Sequence, residues 1–363
     1  MGADTVFLVV VLLRFIIPLF IPKYPLPAIL AALVLDAADQ TIFSWVTDDP
    51  LPGYQAYDKA LDVYYQAIAY ITTMRTWRDP VAFQISRFLY LYRLIGVALF
   101  ELSHARWVLL VFPNTFEYFF IAYEFVRTRW NPLRMSATAL VGTAAFIWIF
   151  IKLPQEWWIH VAQLDFTEFM DDNPWAYFVI GAAALALVIG LWVNRRKIPT
   201  PDWPFTVAVD EHLPPIEVTV PRTTVFDAVL LEKVVFMSLV AVIFAQIVPD
   251  VRSSNLGIAV GVAVLVVLNT LVSEWIYRRG HSWQNSFTAF AAMLVINLGI
   301  VFADSLVSPR RDAPNRSTLF VVLVLSLLIA LYDRYRATRG ATDIRTPALA
   351  AWREERRRRE AVA

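Results

Sequence analysis

Long apolar stretches separated by short charged loops are the feature that most constrains this chain. Several runs of about 18 or more residues are nearly free of charge, and a helix of that length crosses the hydrocarbon core of a bilayer. Of the 363 residues, 58% are hydrophobic and only 17% are charged, whereas a soluble domain averages about 25% charged residues. A backbone at membrane depth has to satisfy its own hydrogen bonds, which helices do. The sequence therefore predicts an all-α, polytopic integral membrane protein.

Hydropathy divides the chain into about eleven predicted transmembrane helices. They lie approximately at residues 5–21, 26–46, 56–75, 80–103, 106–127, 133–153, 175–194, 225–248, 255–277, 284–307 and 317–333. The third is the most polar, because Asp58, Lys59 and Asp62 occupy its first turns. That span needs cover from other helices on its polar face.

Two insertions divide the predicted bundles. Residues 154–174 contain EWWIHVAQLDFTEFM, which is typical of an amphipathic helix lying in the outer membrane interface. Residues 199–224 carry two alternating runs, FTVAVD and IEVTV, which predict a small cytoplasmic β-hairpin. This hairpin would link a polar-rich bundle, residues 1–153, to a second bundle, residues 175–334. Residues 335–363 are predicted to form a basic cytoplasmic tail.

Lysine and arginine fall mostly on alternate loops, and the positive-inside rule then gives the orientation. It predicts an N-terminus outside and a C-terminus in the cytoplasm, in the plasma membrane. The basic tail suits either attachment to anionic lipid headgroups or a solvated role in fixing orientation. The expected partners are membrane lipids and a second copy of the chain, docked through residues 175–334, and no nucleic acid is expected. The absence of cysteine excludes disulfides and thiolate chemistry.

Charged and amide side chains inside the predicted spans concentrate in residues 1–153. They are Arg14, Asp36, Asp39, Asp58, Asp62, Arg87, Arg93, Glu101, Asn114, Glu117 and Glu124. Charges at membrane depth cost a few kcal/mol each and normally face the interior of a bundle. The candidate site is therefore expected in the first bundle, and residues 175–334 are expected to act as scaffold or interaction surface.

Four aspartates form the strongest candidate for chemistry. Asp36 and Asp39 are three residues apart and Asp58 and Asp62 are four apart, so each pair shares one helix face. A short turn at residues 47–53 lets the two helices run antiparallel, which brings the pairs together. Clustered carboxylates repel unless protons, a basic residue or a metal neutralises them. Ligands that are all oxygen suit Mg²⁺, Mn²⁺ or Ca²⁺.

The spacing of these aspartates resembles the signature of the CDP-alcohol phosphotransferases. That signature is D-x-x-D-G-x-x-A-R, eight residues, then G-x-x-x-D-x-x-x-D, on two consecutive membrane helices. The resemblance covers residues 36–62 and implies a Mg²⁺- or Mn²⁺-dependent enzyme. It further implies that Asp36, Asp39 and Asp58 bind the metal and that Asp62 acts as the base on an acceptor alcohol.

The sequence departs from that signature at several positions. Gln40 stands where the family has glycine, and Phe43-Ser44 stands where it has Ala-Arg. The segment is also one residue longer, with Gly53 displaced by one position. The family works at the cytoplasmic face, whereas the predicted orientation places the 47–53 turn outside.

Arginines on the fourth predicted span are candidates for phosphate binding. Arg87, Tyr90 and Arg93 recur along one broad helix face, and Arg14 is expected nearby. A guanidinium fork binds phosphate with two parallel hydrogen bonds. The supporting polar residues are Tyr90, Glu101 and Glu117. Alternatively, the three arginines only form buried ion pairs with the aspartates and with nearby glutamates, which would set helix register.

Three functions stay open at this point. The first is a metal-dependent enzyme on a lipid- or polyprenyl-linked phosphate, transferring a phospho group or a glycosyl group. The second is a transporter or channel that uses the buried charges as an ion or proton path. The third is a non-catalytic scaffold or assembly subunit.

Overall fold

The computed structural model describes residues 3–44, 54–164, 166–197, 199–209, 228–247, 255–277, 283–307, 316–339 and 358. Within these residues all regular secondary structure is helical. The helices are α1 (Ala3–Ile16), α2 (Pro25–Ser44), α3 (Tyr54–Thr76), α4 (Pro80–Ser103), α5 (Trp107–Val111), α6 (Thr115–Arg127), α7 (Ala137–Val161), α8 (Phe166–Asp172), α9 (Trp175–Asn194), α10 (Ala228–Ile247), α11 (Asn255–Tyr277), α12 (Trp283–Val307) and α13 (Arg316–Arg339).

Six of the described helices are long and apolar enough to cross a membrane, namely α7 and α9 to α13. This confirms a multi-pass, helical integral membrane protein. The other five predicted spans correspond to α1–α6. None of these helices is among the six, so the predicted count of eleven spans is not confirmed. The predicted span at residues 106–127 is two short helices, α5 and α6, separated at Pro113 and Asn114. A proline there removes a backbone donor and interrupts the helix.

Helix α3 lies at the centre of the protein. Its side chains from Ala67 to Ile71 are completely buried, as are Tyr64 and, directly after the helix, Trp77. The helix contacts α1, α2, α4, α10 and α13. A helix that is buried on nearly all sides in its second half is stable only when other helices surround it. The predicted need for cover is therefore met, and helices of both predicted bundles share one core around α3.

Two helix starts follow from local sequence signals. Asp79 caps α4, because its side chain accepts hydrogen bonds from the backbone N–H groups of Val81 (2.8 Å) and Ala82 (3.3 Å). Pro80 occupies the first helical position, where its missing N–H costs nothing. Ser136 caps α7 in the same way, through the N–H of Ala139 at 3.0 Å.

Helix α7 runs past the predicted boundary at residue 153 and ends at Val161. Two stretches of it, Ile147–Lys152 and Trp157–Val161, are π-helical. Such widened turns are rare and frequent at functional sites. Residues 154–161 therefore belong to a long helix, and only the short α8 follows within the predicted interfacial segment.

The predicted cytoplasmic hairpin is not confirmed. Its first arm, except for Asp210, lies within the described residues 199–209, which form no strand. The backbone N–H of Thr206 donates to Thr128 O (3.0 Å) and that of Val209 donates to Lys23 O (3.2 Å). Carbonyls at helix ends and loops thus take the hydrogen bonds that a second strand would need. The second arm and the 47–53 turn lie outside the described residues. Of the predicted basic tail, residues 335–339 are described, as the end of α13, and so is residue 358.

Candidate functional site

Arg14 draws the four aspartates together. It lies in the last turn of α1, and its side chain is only 3% exposed. The guanidinium forms ion pairs with Asp36 and Asp39 of α2 and with Asp58 and Asp62 of α3, the last at 2.6 Å. The two pairs therefore face each other in one small volume, as the helical spacing predicted.

One guanidinium does not balance four carboxylates. With all five groups ionised, the cluster carries a formal charge of −3. Three of the carboxylates, those of Asp36, Asp58 and Asp62, each place an oxygen within 4.8 Å of the others. This donor set fits a hard divalent cation, because Mg²⁺ and Mn²⁺ prefer carboxylate oxygen. Asp39 is not part of this triad and is nearly inaccessible, with its side chain 1% exposed.

A cavity of about 570 Å³ opens beside the cluster. Asp36 and Asp62 line it, and so do side chains from α4, α6 and α7. Asp62 is the most exposed of the four aspartates, at 37% of its side chain. This volume falls in the range of small-molecule sites, about 300–1,000 Å³. The acidic cluster is therefore accessible to a ligand from the cavity.

Hydrogen bonds link the aspartate helix to the far elements of the cavity wall. Tyr65, three residues after Asp62, donates to Glu117 Oε1 at 2.9 Å. The other Glu117 oxygen accepts from Asn114 Nδ2 at 2.6 Å. The backbone N–H of Asn114 in turn donates to Glu156 Oε1 at 2.9 Å. This series holds the helix break at Pro113–Asn114 against α3 and α7.

Glu156 is the centre of a second charged group. His160 Nε2 lies 3.1 Å from Glu156 Oε2, Arg93 Nη1 lies 3.7 Å from Glu156 Oε1, and Lys152 Nζ lies 4.0 Å from Glu156 Oε1. All four side chains line the same cavity as Asp36 and Asp62. The cavity is therefore bipolar, with an acidic group on α2 and α3 and a group rich in cations on α4 and α7.

The predicted phosphate-binding arginines lie in three different environments. Arg93 lines the cavity, and Arg14 lies inside the aspartate cluster. Arg87 instead pairs with Glu232 of α10 at 2.8 Å, and Tyr70 donates to the same carboxylate at 2.7 Å. Among the described residues, Arg87 does not line the cavity that holds the aspartates.

The supporting residues lie on the cavity wall. Tyr90, Glu101 and Glu117 all line it, and Glu101 forms an ion pair with Lys59 at 3.8 Å. Sequence reasoning missed Lys152, Glu156 and His160, which it placed at a span end and in a loop. Their spacing of four residues was the available signal, because it aligns three side chains on one helix face.

Comparison of the chain with protein-family models, with curated proteins and with solved structures found no match. The resemblance to the CDP-alcohol phosphotransferases therefore stays a prediction, and function has to be argued from the site itself.

Proposed function

We propose that this protein is a divalent-metal-dependent membrane enzyme that acts on a lipid- or polyprenyl-linked phosphate. The observation that carries the proposal is the excess negative charge of the aspartate cluster beside a cavity with cationic side chains. Four clustered carboxylates against one guanidinium need either protons or a further cation to offset their charge, and the proposal assigns this role to a metal ion. Cationic groups on another wall of the same cavity suit the phosphate that such a cation would bind.

Each residue of the cluster has a role in this proposal. Asp36 and Asp58 would hold Mg²⁺ or Mn²⁺, whereas Asp39, the third metal ligand in the sequence prediction, lies outside the triad. Arg14 pairs with all four carboxylates and fixes them in place. The metal, when bound, offsets the charge that develops on the phosphate oxygens. Asp62 lines the cavity and is the most exposed of the four. It is therefore the proposed general base.

The transfer step is an ordinary displacement at phosphorus. Asp62 takes the proton of an acceptor hydroxyl, and the acceptor oxygen forms a bond to phosphorus with its electron pair. The bond between phosphorus and the leaving phosphate oxygen breaks, and the leaving group departs with that electron pair. General-base catalysis of this kind contributes about 10²–10⁴-fold to the rate.

The proposal also places α1–α4 and α6 inside the bilayer with the six apolar helices. Their outward side chains support this, since Leu12 and Phe20 near α1 and Phe88 and Leu99 on α4 are exposed. The charges of the same helices point inward, as expected at membrane depth. We retain the positive-inside orientation, N-terminus outside and C-terminus cytoplasmic, within this proposal.

The transporter alternative requires a path for ions or protons through the bundle. The series from Tyr65 to Glu156 passes through the side-chain amide and the backbone N–H of Asn114. An amide does not readily give up and regain a proton, so this series favours a fixed wall over proton conduction.

The test is turnover by the full-length protein in nanodiscs. CDP-linked lipid and polyprenyl diphosphate are supplied with alcohol acceptors, and ³¹P NMR follows the products with Mg²⁺, Mn²⁺ or EDTA. We expect metal-dependent turnover that falls by about 100-fold or more in Asp62→Asn. Asp171→Asn, which removes an exposed acid of α8, is the matched control. The proposal is contradicted if Asp62→Asn turns over as fast as the unmodified protein, or if the unmodified protein turns over none of these substrates.

A further inference from the structure

We infer that Arg93, Lys152 and His160 form a binding site for a phosphate-class anion on the α4–α7 wall of the cavity. Three nitrogen-bearing side chains lie within 4.0 Å of the single carboxylate of Glu156. Glu156 thus holds them together without using all of their donors. The inference deepens the proposed function, on which it rests for the identity of the substrate.

Local backbone geometry builds this wall. Lys152 closes the first π-helical stretch of α7, and His160 lies in the second. Lys152, Glu156 and His160 recur at a spacing of four residues and so lie on one side of the helix. This part of α7 contacts α5 and α6, and Glu156 faces Arg93 of α4. Burying an ammonium costs free energy unless it is paired or binds a ligand. Lys152 is nevertheless buried, at 4% exposure.

The cations keep donors available for a ligand. Lys152 has three N–H donors, and in the described residues one of them bonds to Gln155 Oε1 at 2.8 Å. Arg93 has five donors, and one bonds to Phe112 O at 2.8 Å. The distances from both to Glu156 are longer than a hydrogen bond. A phosphate oxygen is the acceptor that suits such donors.

Two further polar groups of the cavity await a partner. The Tyr90 hydroxyl and the Oδ1 atom of Asn114 are buried without a hydrogen-bond partner in the described part of the chain. Both residues line the cavity and are more than nine-tenths buried. A buried polar atom without a partner is costly, and a bound ligand or water commonly satisfies it. Both therefore point to a ligand that carries hydrogen-bonding groups beside its anionic group.

The phosphate can belong to a lipid headgroup or to a soluble molecule, since both present the same oxygens. The experiment uses full-length protein without divalent metal. One arm titrates inorganic phosphate and follows binding by isothermal calorimetry in detergent. The other arm measures retention of phosphatidic acid by the protein in phosphatidylcholine nanodiscs.

Lys152→Met and Arg93→Gln are the test variants, and Lys233→Met is the matched control. Lys233 is also buried and also has a carboxylate partner, Asp333 at 2.6 Å, but it does not line the cavity. We expect the dissociation constant for the phosphate source that binds to rise at least about tenfold in Lys152→Met and in Arg93→Gln. In Lys233→Met it should stay within about twofold of the unmodified protein.

Binding in either arm that weakens in Lys152→Met or Arg93→Gln supports the site and identifies its source. Two results would overturn the inference. One is that the folded protein binds neither ligand; the other is that both test variants bind with the same affinity as the unmodified protein. Melting temperatures show whether each variant is folded. If one test variant fails to fold, the other still tests the inference. Because metal is absent, a failed phosphate site leaves the Mn²⁺ site of the proposed function to be judged separately.

Discussion

Replacement of Arg14 by methionine probes the balance of charge at the cluster most directly. The substitution keeps an unbranched side chain of similar length and removes the one cation that contacts all four aspartates. The formal charge of the cluster then changes from −3 to −4. We expect Arg14→Met to be less stable than the unmodified protein without metal and to recover much of that stability when Mn²⁺ binds.

The magnitude follows from burial. Removing one partner of a buried ion pair costs about 3–5 kcal/mol, and the Arg14–Asp39 pair is fully buried. Asp36 and Asp62 are about a third exposed, so water screens their share. We therefore expect Arg14→Met to lower the free energy of unfolding by an amount near the lower end of this range, about 3 kcal/mol.

Metal binding should offset most of this loss. A divalent cation about 4 Å from the guanidinium is repelled by ~2 kcal/mol even at the dielectric constant of water. Removing that repulsion lowers the dissociation constant for Mn²⁺ by about 30-fold. At a fixed excess of Mn²⁺, tighter binding adds ~2 kcal/mol to the stability of Arg14→Met.

Melting followed by tryptophan fluorescence measures both effects, since the chain has 13 tryptophans. Each protein is heated with EDTA and with Mn²⁺, and Arg14→Lys serves as the control that keeps the positive charge. Equal melting of Arg14→Met and unmodified protein in EDTA would refute the assignment of Arg14 as the counter-cation. An equal shift by Mn²⁺ in both would refute the competition between Arg14 and metal.

Three other substitutions test the fold and the orientation. Gly96→Ala should destabilise the protein by about 1–3 kcal/mol in chemical unfolding, because its new Cβ would overlap Phe112. The control Gly142→Ala, whose new Cβ meets nothing within 4 Å, should not destabilise it. Equal effects of the two substitutions would refute the tight contact between Gly96 and Phe112. Trp77→Ala should cost about 3–5 kcal/mol by the same measurement, since Trp77 is fully buried in the core around α3; a surface-like cost below about 0.5 kcal/mol would contradict that placement. An engineered Leu51→Cys should react with an impermeant thiol reagent from outside, and labelling only from inside would show that the predicted orientation is wrong.

The aspartate cluster could be predicted because it depends on local periodicity. Residues three or four apart share a helix face whatever the rest of the fold does, and two consecutive helices bring Asp36 and Asp62 together. The six apolar helices were predicted for a similar reason, because length and composition suffice to identify them. The charge-rich helices around α3 do not carry that signal, and their count stays a prediction.

The division between Arg87 and Arg93 shows the limit of that reasoning. Six residues at about 100° each place the two side chains roughly 120° apart around α4. Arg87 faces Glu232 of α10, whereas Arg93 faces the cavity and Glu156 of α7. Which neighbour lies on which side of a helix is a tertiary property, so a broad face in the sequence did not predict one shared site.

The position of Lys152, Glu156 and His160 on one continuous helix was not predicted, because Pro154 lies between them. A proline inside a helix removes a hydrogen bond and clashes with the preceding turn, so it normally marks a helix end. Here π-helical turns before and after Pro154 accompany a helix that continues to Val161. Backbone adjustments of this kind depend on packing and have no signal in single-residue propensities.

Binding of Mn²⁺ by the full-length protein, followed by electron paramagnetic resonance, tests the central claim most directly. Asp58 is 21% exposed and belongs to the carboxylate triad, so Asp58→Asn should remain folded and lose most of the binding. Asp171→Asn should bind Mn²⁺ like the unmodified protein. No binding by folded protein, or equal binding by Asp58→Asn, would contradict a metal site and would leave the aspartates and Arg14 as an ion-pair network that holds α1, α2 and α3 together.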